Sequence, residues 1–372
     1  MKYLGKSDYE HGTGEKLGIL VVNLGTPDAP ETKAVRRYLA EFLSDPRIIE
    51  LPRILWKAIL HGVILRVRPA KSAEAYEEVW DEQTGSPLMH NSEKQVAGIQ
   101  HALESQFGDS IVVTLGMRYG SPSIDHAISQ LEAQNVRRML VLPMYPQYSG
   151  TTTASVFDAV TSRLQHTRWI PETRFINQYC DEPAYIKSLA NSVRESWDKN
   201  GRGELLVTSY HGIPKRYLLN GDPYHCLCHK TSRLLADELG ISNDDIKVVF
   251  QSRVGREEWL QPYCDETMKS LPSSGVKSID VISPAFSADC LETLEEIEGE
   301  NKEYFMENGG ERFQYIPCLN DRTDHIEMLA QLIERHCQGW PEMNVNRDKA
   351  AEAEHWRISK VQADKLLDNA NG

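Results

Sequence analysis

Short apolar runs of strand length alternate with helix-forming segments along most of this chain. Seven runs predict β-strands at residues 17–24, 111–116, 139–144, 205–210, 247–251, 278–283 and 313–318. Helical patterns lie between them, at residues 32–42, 92–107, 123–133, 154–165, 183–199, 230–239, 265–271, 289–303 and 324–335. This alternation is typical of parallel sheets covered by helices on both faces. The predicted fold class is therefore α/β.

The length of 372 residues suits two domains, each with its own core. We predict a boundary inside the helix at 183–199, which gives one domain at residues 16–187 and a second at 188–321. The last predicted helix, at about 322–337, is a candidate to pack back on the first domain. Residues 338–372 are rich in charge and alanine, and we interpret them as a tail that is either an appended helix or mobile.

The composition narrows the class of protein. The formal net charge is −13, which disfavours nucleic-acid binding because phosphate neutralisation needs surplus Lys and Arg. Residues 1–16 are polar and lack the apolar region of a signal peptide, and the apolar stretch at 55–65 is shorter than the roughly 20 residues of a membrane span. Seven scattered cysteines suit a reducing compartment. We therefore expect a cytoplasmic protein.

One candidate for chemistry is His211, which follows a predicted strand and precedes a turn with Gly212 and Pro214. Ligands of open α/β sheets bind beyond the carboxyl ends of strands, so this imidazole is placed to face a cleft. A neutral imidazole can bind a metal ion such as Fe²⁺ or act as a base near neutral pH. The alternative is a turn histidine that only caps backbone groups, and the spacing leaves both open.

A second candidate is the acidic helix predicted from residue 289. Asp289, Glu292 and Glu296 are spaced by three and four residues, which places three carboxylates on one helix face. Facing a cleft, such carboxylates could pass protons along. The alternative is a solvated acidic face with Asp289 as its N-cap.

Two further segments have ordinary explanations. The segment HCLCH at 225–229 offers Cys226 and Cys228, but a closed metal site needs a second, separated pair of ligands, and nothing shows that Cys264 or Cys318 is near. A metal cluster there is not favoured.

The apolar stretch at 55–67 is either a buried helix or an apolar lip that admits a flat substrate or touches a membrane.

Taken together, segments in one order from about residue 16 to 337 resemble the ferrochelatases, close to their proteobacterial form. These enzymes insert ferrous iron into a porphyrin to make haem. The resembling segments are GILVVNLGTP at 18–27, FLSDPR at 42–47, GSPL at 85–88, PMYPQYS at 143–149, SYHGIP at 209–214, FQSRVG at 250–255 and AFSADCLETL at 285–294.

The resemblance implies two Rossmann-like domains, each a parallel sheet flanked by helices, with a porphyrin cleft between them. It implies that His211 and Glu292 are the catalytic pair and the iron ligands, and that Asp289 and Glu296 lie on a proton path. It further implies a set of residues that line the porphyrin pocket, namely Leu24, Arg118, Tyr119, Ser252 and Trp259.

The implied substrates are protoporphyrin IX and Fe²⁺, with no permanently bound cofactor. Some members hold a [2Fe-2S] cluster through four cysteines, but neither cysteine pattern fits this chain. Glu77 and Glu78 stand where animal members carry arginines that meet the porphyrin propionates, so no propionate contact carries over.

Two alternative functions remain. One is a chelatase for another metal or tetrapyrrole, such as cobalt or coproporphyrin, and the other is a porphyrin-binding protein without catalysis. A homodimer and a peripheral membrane contact are also left open.

Overall fold

Two parallel β-sheets of four strands each form the framework of the chain, in a computed structural model that describes residues 3–5, 10–255 and 257–371. The first sheet has the order β2-β1-β3-β4, and the second has the matching order β6-β5-β7-β8. The strands are β1 Lys16–Asn23, β2 Ile111–Met117, β3 Val136–Pro143, β4 Glu172–Phe175, β5 Leu205–His211, β6 Ile246–Gln251, β7 Ser278–Ile282 and β8 Arg312–Ile316. The predicted α/β class with parallel sheets is confirmed.

Helices connect the strands and cover the sheets. The α-helices are α1 Thr32–Phe42, α2 Arg53–Ile59, α3 Leu65–Val79, α4 Pro87–Phe107, α5 Ile124–Ala133, α6 Thr153–Leu164, α7 Pro183–Asn200, α8 Lys215–Leu219, α9 Tyr224–Leu239, α10 Cys264–Ser270, α11 Leu291–Thr293, α12 Lys302–Glu307, α13 Thr323–Cys337 and α14 Lys349–Asn371. Two π-helical segments, Leu60–Ile64 and Leu294–Asn301, continue α2 and α11. Single 3₁₀ turns lie at Gly108–Ser110, Asn243–Asp245, Pro272–Ser274 and Pro341–Met343.

The strand pairing places the loops of interest at the same edge of each sheet. In the first sheet Val21 of β1 lies opposite Leu115 of β2 and Leu142 of β3. In the second, Val207 of β5 lies between Lys247 of β6 and Val281 of β7. Because all the strands are parallel, the loops after β1, β2 and β3 emerge together, as do those after β5, β6 and β7.

The largest hydrophobic cluster is shared by the two sheets. Helix α4 contributes Ile99 and Leu103, α13 contributes Leu329, and the second sheet contributes Leu206 and Ile282. The two helices approach closely at Gly98, where a β-carbon would lie 3.1 Å from the Ile326 side chain. Helix α13 thus packs on α4. The domain boundary predicted between residues 187 and 188, inside the continuous helix α7, stays a prediction.

Residues after Gln338 pack on the first sheet and then form a helix. Trp340 is buried, and its Nε1 donates to Glu172 Oε1 at 2.7 Å. The buried Glu342 accepts a hydrogen bond from Arg138 Nη1 at 2.8 Å. The exposed helix α14 follows, with Lys349 Nζ 3.4 Å from Asp109. Of the predicted tail only Gly372 lies outside the described residues, as do 1–2 and 6–9 of the polar N-terminal segment.

One predicted helix starts later than its sequence pattern indicates. The helix expected from residue 289 begins at Leu291, with Cys290 as its N-cap in an extended conformation, φ −149° and ψ −174°. The N–H of Cys290 donates to Thr293 Oγ1 at 3.0 Å. Asp289 precedes this N-cap, and its carboxylate accepts hydrogen bonds from Tyr315 of β8 and from Cys318 and Asn320 in the loop after β8. Within the described ranges, no helix is both long and apolar enough to cross a membrane.

Candidate active site

His211 is the last residue of β5 and lies opposite Gln251 of β6. Its Nδ1 lies 2.6 Å from the carbonyl oxygen of Gly212. A carbonyl can only accept, so Nδ1 carries a hydrogen, and Nε2 is the ring nitrogen that can accept a proton or bind a metal ion. A β-carbon at Gly212 would lie 2.8 Å from the Gln251 carbonyl oxygen and 3.1 Å from the Trp259 ring. Glycine at position 212 therefore leaves room for the indole of Trp259 next to the residue that follows His211.

Glu296, on the π-helical segment after α11, is bound by the loop that follows β6. Its carboxylate accepts hydrogen bonds from Ser252 N at 2.6 Å, Ser252 Oγ at 2.5 Å and Gln251 Nε2 at 3.2 Å. Ser252 has a left-handed φ of 65°, which aims both of its donors at the same carboxylate. Burial raises the pKa of Glu296, although the hydrogen bonds from Ser252 and the charge of His211 oppose the shift.

Glu292 faces the first domain. Gln251 Nε2 donates to the backbone carbonyl of Glu292 at 2.8 Å, which ties this residue to the strand beside His211. Burial raises the pKa of Tyr76, and the negative charge of Glu292 raises it further. The same two causes, among others, raise the pKa of Tyr38 and of Tyr145. The carboxylate therefore lies within electrostatic range of three phenols of the first domain.

Asp289 is held by a ring of donors. Its Oδ1 accepts hydrogen bonds from Tyr315 OH at 2.6 Å, Cys318 N at 3.2 Å and Thr293 Oγ1 at 3.2 Å. Its Oδ2 accepts one from Asn320 Nδ2 at 2.6 Å. The residue is only 7% exposed. These contacts anchor the loop before α11.

Arg118 and Tyr119, in the loop after β2, converge on the buried Asp45. Arg118 Nη2 lies 2.5 Å and Tyr119 OH 2.7 Å from Asp45 Oδ2, and Ser155 Oγ donates to the same oxygen at 2.5 Å. Burial alone would raise the pKa of Asp45, but hydrogen bonds from Ser155, the Arg47 backbone and Tyr119, together with the charge of Arg118, lower it. Tyr119 is 1% exposed, so its ring lies within the core.

Leu24 lies where the two domains meet. It packs against the cluster that contains Tyr38, Tyr76 and Tyr119, and also against the cluster that contains Cys290. The predicted site residues thus form two groups, with Leu24, Arg118 and Tyr119 on the first sheet and His211, Ser252, Trp259 and Glu296 on the second. Glu292 lies between the groups, and both stand at the carboxyl edges of their sheets.

Comparison with known proteins identifies the family of the chain. Residues 16–337 match the family model described as Ferrochelatase. The chain belongs to the ferrochelatase family. It is 58% identical over 340 residues to the ferrochelatase of Marinobacter nauticus. The aligned residues make up 91% of this chain and 92% of that protein. It is 53% identical over 364 residues to the ferrochelatase of Idiomarina loihiensis. Here the aligned residues make up 98% of this chain and all of that protein.

The family resemblance inferred from the sequence segments is therefore confirmed, and the chain is a porphyrin metal chelatase of the lyase class. Among solved structures, a multi-domain protein of Deinococcus radiodurans described as structurally similar to chelatases aligns with a TM-score of 0.50. The two chains are 10% identical, and the alignment covers 92% of this chain and 60% of that one. This likeness concerns the fold alone.

Several residues of the site were not predicted. Gln251 links Glu292 and Glu296 to the strand beside His211, and Asp45 holds Arg118 and Tyr119. Both stand in segments that carry the family resemblance, FQSRVG and FLSDPR, which was the available signal. Tyr38 and Tyr76 lie on helices of the first domain, and nothing in the sequence brought them to Glu292.

The four cysteines considered as ligands lie in different surroundings. Cys226 is exposed and Cys228 is buried on α9, Cys264 accepts a hydrogen bond from Ser209, and Cys318 lies 3.7 Å from Tyr315 OH. Over the part of the chain that the structure describes, no three His, Cys, Asp or Glu side chains gather in a group suited to a metal ion.

The apolar stretch at 55–67 is neither wholly buried nor wholly exposed. Trp56 and Leu60 point into the core, while Ile54 is 89% and Val67 72% exposed on the same continuous helical stretch. Residues 51–73 carry five Lys and Arg and no acidic residue, although the whole chain has a net charge of −13. We call this exposed basic and apolar surface, formed by residues 51–73, the lip.

Proposed function

We propose that this chain inserts Fe²⁺ into protoporphyrin IX, giving protohaem and two protons, with His211 and Glu292 as the reacting pair. Membership of the ferrochelatase family supports the reaction. The observation that carries the residue assignment is that Gln251, which pairs with His211 across the two strands, donates to the backbone carbonyl of Glu292 at 2.8 Å. The turn that carries Glu292 is thereby tied to the sheet edge where the Nδ1 of His211 is occupied and its Nε2 is left for a proton or a metal ion.

His211 accepts a pyrrole proton and serves as an iron ligand, since a neutral imidazole suits both tasks. Glu292 is its partner, a carboxylate that neutralises the incoming cation. Only a few protein ligands should hold the iron, because a closed coordination sphere would not release it into the macrocycle.

Protons leave through Glu296. Burial raises its pKa, so this carboxyl takes up a proton at a higher pH than an exposed glutamate would. The assignment of Asp289 to the same path stays a prediction. Its carboxylate accepts four hydrogen bonds, which favours an anchoring role instead.

The porphyrin is proposed to lie between the two groups of site residues. Leu24 and Trp259 offer apolar surface on the first and second domains, and Ser252 lies beside Glu296. Binding at the ring edges can bend the macrocycle, which exposes the pyrrole N–H groups to His211. Arg118 and Tyr119 are proposed to support this wall through Asp45, since the Tyr119 ring is buried.

The reaction is tested with purified protein, Fe²⁺ and protoporphyrin under anaerobic conditions, with haem formation followed by absorbance. We expect His211→Ala to abolish chelation while porphyrin still binds. His101→Ala, a change on the exposed face of α4, is the matched control and should turn over normally. A His211→Ala enzyme with near-native turnover would refute the assignment.

The alternative functions are not favoured by the family membership. A panel of metals and tetrapyrroles separates them, with Co²⁺ and coproporphyrin included. A protein that binds porphyrin but forms no metalloporphyrin with any metal would be a carrier. The absence of a permanently bound cofactor and the cytoplasmic location stay predictions, and the choice between monomer and homodimer stays open.

We also propose that the lip makes peripheral contact with an anionic membrane. Its exposed Ile54 and Val67 offer apolar surface, and its five Lys and Arg attract acidic headgroups. Sedimentation with vesicles that contain phosphatidylglycerol should retain the protein, and Ile54→Asp combined with Val67→Asp should release it. Leu366→Asp, at an apolar residue 72% exposed on α14, should leave binding unchanged. Equal binding of the double variant would refute this contact.

A further inference from the structure

Asn320, in the loop between β8 and α13, makes two hydrogen bonds to Asp289. Its Nδ2 donates to Asp289 Oδ2 at 2.6 Å, and its Oδ1 accepts from Asp289 N at 2.8 Å. The backbone of Asn320 is left-handed, with φ 46°, a conformation that asparagine tolerates better than most residues. The side chain makes both hydrogen bonds, and the backbone conformation is one that suits asparagine.

Hydrogen bonds connect Asp289 to Glu292 through the first turn of α11. Asp289 Oδ1 accepts a hydrogen bond from Thr293 Oγ1, and that hydroxyl in turn accepts one from Cys290 N. Cys290 and Thr293 flank the turn that carries Glu292. A shift of Asp289 therefore moves the start of the helix from which the Glu292 carboxylate projects.

The same residue is also tied to the first domain. The carbonyl oxygen of Asn320 accepts from Gln95 Nε2 at 3.0 Å, and this amide donates as well to the carbonyl oxygen of Ser287 at 2.8 Å. Gln95 lies on α4 and is fully buried. His325 Nδ1 lies 2.8 Å from the Asn320 oxygen. The loops before α11 and before α13 are thus fixed against the domain that carries Tyr38, Tyr76 and Tyr145.

We propose that Asn320 is a positioning residue for metal insertion, which holds the Glu292 carboxylate against the first domain by acting through Asp289. This inference rests on the proposed function of Glu292. Asn320 contacts neither reacting group, so porphyrin affinity should not depend on it. A displacement of about 1 Å at a reacting group costs roughly a hundredfold in rate, which sets the size of the effect.

The test compares Asn320→Gly and Asn320→Asp with the native enzyme. Glycine tolerates the left-handed backbone and removes both side-chain hydrogen bonds to Asp289. Aspartate keeps the shape but replaces the Nδ2 donor with a second carboxylate facing Asp289. For both we expect kcat for Fe²⁺ insertion to fall tenfold to a hundredfold, with the KM for porphyrin and its binding, measured by fluorescence, within about twofold of native.

The matched control is Asn191→Ala, because Asn191 Nδ2 binds the Asp324 carboxylate at 3.1 Å in another Asn–Asp pair, one at the start of α13 that does not include Asp289. It should leave kcat unchanged. A second readout is the double variant with Asp289→Asn. If Asn320 acts through Asp289, the losses from the two single changes should not multiply.

Each outcome decides the inference. A native kcat in either variant at residue 320 overturns it, and so does a loss of porphyrin binding in step with activity, which indicates general disruption. Fully multiplicative losses in the double variant overturn the route through Asp289. Failure of the native protein to form haem would instead remove the proposed function, so the two failures are distinguishable.

Discussion

The Asp45 network offers a sharp test of how the first domain is stabilised. Asp45 accepts hydrogen bonds from Arg118, Tyr119 and Ser155 on one oxygen, and from the Arg47 backbone on the other at 2.7 Å. Its side chain is 3% exposed, and that of Arg118 is 17% exposed. Asp45→Asn keeps the shape and removes the charge, which leaves the Arg118 guanidinium partly buried without a counter-ion.

Breaking one partner of a buried ion pair costs about 3 to 5 kcal/mol, and the partial exposure of Arg118 favours the lower figure. With an unfolding entropy of about 2.1 cal/mol/K per residue, a loss of about 3 kcal/mol lowers the melting temperature by roughly 4 °C if the whole chain unfolds in one step. The control is Asp158→Asn. Asp158 pairs with Arg47 at 2.7 Å, but both side chains are more than 40% exposed, so the change should cost less than about 1 kcal/mol.

The dependence on pH has a definite sign. The pKa of Asp45 is lowered in the folded protein, so its ionised form adds stability above the ordinary pKa of about 4. That stability is lost as the pH falls through the lowered folded value. Calorimetry at pH 7 should therefore separate Asp45→Asn from native, and the difference should shrink below about pH 4. Equal melting temperatures at pH 7, or a loss matched by Asp158→Asn, would refute this account.

Three further predictions concern the site and the tail. Glu292→Gln should lower kcat at least a hundredfold with porphyrin binding kept, as expected for a lost acid–base or ligand group, and a native rate would remove Glu292 from the mechanism. Because burial raises the pKa of Glu296, the acid limb of the native pH–rate profile should lie above that of an ordinary glutamate, and Glu296→Gln should abolish this limb. An unchanged profile would contradict the proton path. Trp340→Ala should destabilise the fold by about 3 kcal/mol in thermal melts, whereas Ile358→Ala, at a residue 51% exposed on α14, should change little.

Seven of the eight strands were predictable because each contains a short segment rich in apolar residues, as buried parallel strands do, even though Asp280 interrupts β7 and Gln314 interrupts β8. The eighth, β4, reads Glu-Thr-Arg-Phe, a short polar edge strand with no such run. Helix α3 was missed for a comparable reason, since it continues through Pro69, a residue that usually ends a helix.

The candidate site was predictable in its loops but not in its contacts. A strand's end is visible in the sequence, so His211 and the region of Glu292 could be placed at a sheet edge. The start of helix α11 at Leu291 could not be predicted, because the four groups that bind Asp289 include Tyr315 and Asn320, which are distant from it in the sequence. The hydrogen bonds of Gln251 and Asp45 depend in the same way on tertiary packing.

The packing of α13 on α4 has a consequence for biosynthesis. Helix α4 ends at Phe107, but the apolar face formed by Ile99 and Leu103 is covered by α13, which begins at Thr323. During translation more than 200 residues separate the two helices, so the first domain leaves the ribosome with that face uncovered. A chain that stalls before Thr323 would expose an apolar surface of the kind that chaperones bind.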